Sequence, residues 1–535
     1  MGEPMTMTLP NEFVIRGGKV VDGTGAAAFA ADIVVENGQV RLIKAGDASG
    51  LPAVDVNGLV VSPGFIDTHS HADLEPFLGD ELVHASRITQ GVTTEVVGNC
   101  GFSPFPVPTD HDKMVAQFLA VVFGPSAATF PDLDSYSTRI SEVGLASNVA
   151  TLVGHGTLRA GSLGYDNRKA SDGEIDNMRT ALERAMEAGA FGMSTGLCYT
   201  PATYAPLEEV QALAEVVAAA GGIYATHIRN ETDLTEESIE EALFVSRTTG
   251  VPVHIAHLKV AGESNWRRSA ELLALLDAAR GRGIDVTADV YPYTAASTTL
   301  HSLLPPWTAE EGIDRLYANL SDPAWRARVA GDLDHGVPGW QNLGTAAGWH
   351  NITIATSAGQ PDWEGVSITD LADKTDRHPI DTIARVLDTN RGKVVVVIEA
   401  MDDSDVGNFL AWPHSVVGSD GIPLPGKPHP RLTGTFPRVL GRYRERLGSL
   451  EEAVRRMTGG SAARFQIPRR GVIADGMAAD LVVFDEDVVM DRGTYSDPWQ
   501  RPAGIHHVFL GGRLAVWESE LVDGTAGSVL RREQR

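Results

Sequence analysis

Residues 59–77 read LVVSPGFIDTHSHADLEPF, an apolar, β-prone run that ends in His69 and His71. Residues i and i+2 of a strand face the same side, so the two imidazoles can meet one ion at the strand's C-terminal end. A second stretch, residues 93–106, TTEVVGNCGFSPFP, ends another strand-like segment at Cys100, one of two cysteines in 535 residues. Metal-compatible groups recur at later strand ends: His227 in IYATHI (223–228), His257 in VPVHIAHLK (251–259) and Asp420 in SVVGSDG (415–421). A lone histidine pair carries little weight. Six such groups at five strand ends point to one site, because barrel enzymes gather their chemistry at the C-terminal ends of the strands.

Working outward, eight candidate strands are LVVSPGFIDTHSH, TTEVVGNC, NVATLVGHG, AFGMSTG, IYATHI, VPVHIAHLK, IDVTADVYP and SVVGSDG. Amphipathic helical segments lie between several of them, at 207–221, 237–250 and 268–283. This alternation predicts an α/β chain folded as a (β/α)8 TIM-like barrel. Residues 12–45 and the last sixty residues lack the helical period and alternate with a period near two, so the termini are expected to form one small β-sandwich between them. The expected organisation is 1–60 and 466–535 as the two parts of the sandwich, with 61–465 as the catalytic barrel.

The span between DVYPYT and SVVGSDG is too long for one crossover helix, which predicts an insertion at about 300–400, before the last barrel strand. It holds Trp307, Trp325, Trp340, Trp349 and Trp363, more than half of the nine tryptophans. It is expected to pack as a subdomain with its own aromatic core and to sit as a lid over the barrel mouth.

Hydrophobic residues make up 43% of the chain, enough for a large core, and the net charge is −26. Bulk charge of that sign disfavours nucleic acid and anionic membranes, and leaves a small molecule as the expected partner. Two cysteines exclude a disulfide framework and fit a reducing, cytoplasmic setting. The N-terminal residues MGEPMTMTLP lack the pattern of a signal peptide, although Gly2 and Thr6 match the loose N-myristoylation pattern. No apolar run approaches the ~18 residues of a membrane span. His254, three residues before His257, is expected to face away from the site. His155 can touch the site or pack, and Cys198 reads as a small buried apolar residue.

The motif order resembles the D-aminoacylase (N-acyl-D-amino-acid deacylase) family of the amidohydrolase superfamily. The matching pieces are PGFIDTHSHAD, QGVTTEVVGNCGFSP, STGLCYTP, THIRNE, AHLK, DVYPYTA, VGSDG, HPRLTGTFPRVLGRY and GGSAARFQIPRRGVIADGMAADLVVFD, which together span nearly the whole chain. Many relatives in the superfamily bridge two metals with a carbamylated lysine on strand four, but AFGMSTG has no lysine. The resemblance implies that Cys100, His227 and His257 form a tight Zn2+ site. His69, His71 and Asp420 would then face a second, weaker site.

On that footing the expected reaction is hydrolysis of an N-acyl-D-amino acid to a carboxylate and a D-amino acid. Asp420 is the expected proton shuttle, first base and then acid. Lys259 and Arg431 are expected to meet the substrate carboxylate, with Tyr199 as a further substrate contact and Tyr293, Ser297 and Arg229 as weaker candidates. The alternative is a different amide, such as a cyclic imide, a peptide-like amide or a carbamoyl group, on the same metal site. A third reading is a non-catalytic binding protein on this scaffold; the intact set of six groups argues against it.

Overall fold

The computed structural model describes residues 9–533 apart from 48, 49, 109, 110, 125 and 126. The Gly2/Thr6 pattern lies outside the described residues. Eight parallel strands form one sheet: β1 (Phe65–Asp67), β2 (Val92–Val97), β3 (Asn148–Gly154), β4 (Gly192–Gly196), β5 (Ile223–His227), β6 (Val253–Ile255), β7 (Val286–Val290) and β8 (Ser415–Val417). Almost every residue in them is buried, as expected for parallel strands covered on both faces. The ends of the sheet meet where Thr68 donates from N and Oγ1 to the Val417 carbonyl at 3.3 and 2.9 Å, and Ser70 bridges Gly421. All eight strands expected from the sequence are present, each strand registered beside its chain neighbour.

Helices α1 (Asp112–Phe123), α2 (Leu207–Ala219), α3 (Thr235–Thr249), α4 (Ser269–Gly281) and α5 (Arg431–Arg438) belong to the connections. Each turns its apolar stripe inward; α2 buries Val210, Leu213, Ala214, Val216 and Val217.

The first apolar run differs from its reading as one strand. It splits at Gly64 into Val60–Pro63, which joins the terminal sheet, and β1, which opens the barrel. The chain packs closely at the break, where a Cβ on Gly64 would lie 2.1 Å from Thr93 Oγ1. Residues 60–63 pair antiparallel with Leu481–Phe484 from the other end of the chain, Val60 opposite Phe484 and Val61 opposite Val483. This seven-stranded sheet faces a four-stranded sheet of residues 12–55, and a shared core of Phe13, Ile33, Val35, Val483 and Phe509 joins them. The small antiparallel unit is therefore built from both termini.

Between β7 and β8 the chain forms a separate antiparallel sheet of Ala295–Thr299, Val395–Glu399 and Ile352–Ile354. Trp307 packs edge-on to Trp325, with ring centroids 5.9 Å apart. No described helix is long and apolar enough to cross a membrane.

Candidate active site

The strand ends carry the site, and the backbone there is held in an uncommon state. Cys100, His257 and Asp420 have φ of 53°, 37° and 52°, the left-handed region that non-glycine residues rarely occupy. Such conformations persist only where the surroundings impose them, and they concentrate at functional sites. Gly98, two residues before Cys100, has φ of 78°, and a Cβ there would lie 2.1 Å from the Leu152 carbonyl oxygen. A glycine is therefore required for β2 to turn tightly over β3 and deliver the thiol.

Three imidazole nitrogens surround the Cys100 sulfur: His69 Nε2 at 3.3 Å, His257 Nε2 at 3.5 Å and His227 Nδ1 at 3.6 Å. Two ligand groups result, Cys100–His227–His257 and His69–His71–Cys100–Asp420, and they share the thiol. The donor set fits zinc. With Zn–S near 2.3 Å and Zn–N near 2.05 Å, a tetrahedral S···N edge is about 3.5 Å. Burial pushes the Cys100 thiol well above its ordinary value and pulls His227 and His257 below theirs. His227 and His257 are thus neutral donors, and a thiolate in this pocket calls for a cation beside it.

Carboxylates hold the histidines from behind. Glu231 Oε1 is 3.0 Å from His257 Nδ1, and its Oε2 is 3.5 Å from His227 Nε2. Asp289 Oδ2 is 3.3 Å from His69 Nδ1 and 3.0 Å from His254 Nε2. Asp289 also accepts from the His257 backbone N at 2.8 Å. Partners of this kind set the tautomer and the ring orientation of metal-binding histidines. Asp67 accepts from the backbone N of His69 and of Ser419, which ties the loops after β1 and β8 together. Burial, reinforced by Glu95, pushes the Asp67 carboxyl up to about 7.

Asp420 sits between metal-binding and cationic groups. Its Oδ1 is 3.2 Å from His71 Nε2, and its Oδ2 is 2.9 Å from Arg431 Nη1. Although burial opposes ionisation, Arg431, His257 and His69 hold the carboxyl well below its usual range. Arg431 is fully buried at the start of α5, stacked 4.6 Å over the Tyr291 ring, with Nη2 donating to the Ser297 carbonyl. Lys259 is buried as well, its Nζ 2.6 Å from Glu231 Oε1. Despite its burial, Glu231 keeps that ammonium charged.

A cavity opens over these groups, lined by His71, Cys100, Tyr199, His227, His257, Lys259, Ser297 and Asp420 among others. The insertion supplies one wall, residues 296–309. Tyr199 OH lies 3.3 Å from Thr298 Oγ1 of that wall. Tyr293 is not brought to the cavity. It donates to the Pro430 carbonyl at 3.3 Å behind the loop that carries Arg431, and Tyr291 lines the cavity in its place. Arg229 pairs with Glu241 at 2.7 Å and braces the backbone of Thr203 and Ala205. His155 pairs with fully buried Glu209 at 2.8 Å. His254 departs from the expectation that it faces away: its Nε2 meets Asp289, the carboxylate that holds His69, while its ring packs edge-on against Phe465. Cys198 departs from its reading as an apolar filler: it lines the cavity with Sγ 3.0 Å from His227 Nε2. Glu231 and Asp289 were not singled out from the sequence.

This fold and donor set define a metal-dependent amidohydrolase. The family model described as "Amidohydrolase family" matches residues 53–516. The chain is 37% identical over 527 residues to a D-aminoacylase of Alcaligenes xylosoxydans xylosoxydans, covering 98% of each chain. It is 36% identical to an N-acyl-D-glutamate deacylase of the same organism, covering 98% of this chain and 97% of that one. The crystal structure of an N-acyl-D-glutamate deacylase from Bordetella bronchiseptica, complexed with zinc and a phosphonate mimic of the tetrahedral intermediate, superposes with a TM-score of 0.82 at 34% identity, over 98% of this chain and 100% of that one. The chain belongs to the amidohydrolase family, in its D-aminoacylase (N-acyl-D-amino-acid deacylase) branch, and carries that branch's binuclear type of metal site.

Proposed function

We propose that this enzyme hydrolyses N-acyl-D-amino acids to a carboxylate and a free D-amino acid, with zinc held tightly by Cys100, His227 and His257. The observation that carries the reading is the convergence of three imidazole nitrogens on the Cys100 sulfur at 3.3–3.6 Å, with ionised Asp420 beside them. A zinc ion bound by this donor set supplies Lewis-acid polarisation of the scissile carbonyl and activation of water. Asp420 takes the proton from the attacking water as the new C–O bond forms. It then delivers that proton to the amine nitrogen as the C–N bond breaks. Its ionised state suits the first step, and His71 Nε2, 3.2 Å from Oδ1, holds the carboxylate beside the metal-binding groups. Arg431 and Lys259 hold the substrate's α-carboxylate, and Tyr199 and Ser297 close the site from the insertion side.

The second ligand group, His69–His71–Cys100–Asp420, holds metal more weakly. His71 Nδ1 is buried without a hydrogen-bond partner, whereas His257 is fixed by Glu231. The enzyme acts in the cytoplasm, where a metal-site thiol and the second free thiol, Cys198, stay reduced. Paired N-acetyl-D- and N-acetyl-L-amino acids, assayed with zinc-loaded protein, test the reading. Free amino acid should appear from the D-series; turnover confined to cyclic imides or carbamoyl compounds would replace it.

A further inference from the structure

The loop that delivers Arg431 is tied to the insertion by a histidine that the reaction does not use. His429 is buried, with Nδ1 2.9 Å from the Arg431 backbone N and Nε2 3.0 Å from the Ala295 carbonyl oxygen. A backbone N–H can only donate and a carbonyl can only accept. The two contacts therefore fix the tautomer: Nδ1 is the bare acceptor and Nε2 carries the proton. Tyr293 and Tyr495 stand nearly at right angles to the ring, each with its centroid 5.1 Å away. Burial among them pulls His429 well below its ordinary value, so the ring stays neutral.

Both contacts fall on backbone groups that need a partner. Arg431 is the first residue of α5, and the leading N–H groups of a helix have no acceptor within it. Ala295 opens the strand Ala295–Thr299, which lies at the edge of the insertion's three-stranded sheet. An edge strand leaves backbone groups unpaired on its free side. His429 Nε2 donates to the Ala295 carbonyl, and Arg431 Nη2 donates to that of Ser297, two residues on, at 3.3 Å. The insertion strand is thus held at two carbonyls by two side chains, which are themselves joined through the Arg431 N–H. The same guanidinium reaches Asp420 at 2.9 Å and stacks over Tyr291.

We infer that His429 is a positioning residue: its Nε2–H tautomer sets Arg431 and the insertion strand at Ala295–Ser297 in one frame, so that the guanidinium meets the substrate α-carboxylate at a fixed place beside Asp420. This rests on the deacylase reading, in which Arg431 holds that carboxylate. His429 acts through Arg431, because both of its ring nitrogens are taken by the backbone.

The test compares kcat/KM for N-acetyl-D-methionine and its carboxamide in zinc-loaded wild type, His429→Asn and His429→Gln, each variant alone and combined with Arg431→Met. His429→Asn keeps an acceptor near the Nδ1 position and His429→Gln a donor near the Nε2 position, so each retains one of the two ties. In both, the acid should lose at least about 10-fold more than the carboxamide, mainly through KM, with zinc content unchanged. In the Arg431→Met background, either change at His429 should leave the acid-to-carboxamide ratio within about 2-fold. Equal losses for the two substrates, or a ratio that falls as far without Arg431 as with it, would overturn the inference and leave the deacylase reading intact. Failure of both variants to fold would overturn it too, reducing His429 to core packing. No hydrolysis of either substrate by wild type would overturn the deacylase reading and the inference with it.

Discussion

Glu231 Oε1 stands 3.0 Å from His257 Nδ1 and 2.6 Å from Lys259 Nζ, so one carboxylate fixes both a metal-binding imidazole and a cation of the substrate cavity. With His257 Nε2 turned to Cys100, its Nδ1 faces Glu231 Oε1 at 3.0 Å and Lys259 Nζ at 2.6 Å. Glu231→Gln keeps the shape and removes the charge. Zinc affinity should fall by about 10–100-fold, the usual cost of losing such a partner. Competition with a chromogenic chelator measures it; unchanged affinity would make Glu231 a packing residue only.

Cys100→Ala should lose zinc and turnover together, since the thiol is common to both ligand groups. Metal analysis of the purified variant decides the point. Full zinc with normal turnover would remove the cysteine from the site.

Asp420→Asn cannot take a proton, and kcat should drop by at least about 10² while tightly held zinc remains. If turnover stays near normal, the shuttle is another group, and His71, 3.2 Å away, is the first to examine.

Arg431 reads the substrate carboxylate only if its loss hurts the acid more than the matching neutral amide. Arg431→Met should lower kcat/KM for an N-acyl-D-amino acid by several-fold more than for its carboxamide. Because Arg431 also neutralises Asp420 at 2.9 Å, some loss is expected for both substrates. Equal losses would confine the arginine to supporting Asp420.

Gly98→Ala tests how the thiol is delivered. A Cβ would lie 2.1 Å from the Leu152 carbonyl, in a backbone conformation unfavourable to alanine. The added strain and overpacking should cost about 1–3 kcal/mol or more. The variant should melt at a lower temperature and hold zinc less well; a protein unchanged in both would mean that the turn can relax freely.

The strand ends were legible because residue types rare elsewhere in the chain, cysteine and paired histidine, fall after apolar β-prone runs. The carboxylates behind them were not. Glu231 in THIRNE and Asp289 in DVYPYT have no local signature, and their partners lie up to 220 residues away, as Asp289 does from His69. Tyr293 was singled out from the sequence and Tyr291, which lines the cavity, was not. The strand ends at Val290 and Pro292 follows, so the alternation stops before either tyrosine. Cys198 looked like a filler because a lone cysteine usually is one, and only the fold brings it to His227. The break at Gly64 was hidden inside a continuous apolar run, because terminal sheet and barrel both call for buried β residues.

The most direct measurement titrates metal-free protein with zinc while following release of D-methionine from N-acetyl-D-methionine, with the L-isomer in parallel. The account predicts turnover that rises with the first equivalent of zinc, is lost in Cys100→Ala and is absent for the L-isomer. Full turnover without metal, or equal turnover of both isomers, would contradict it.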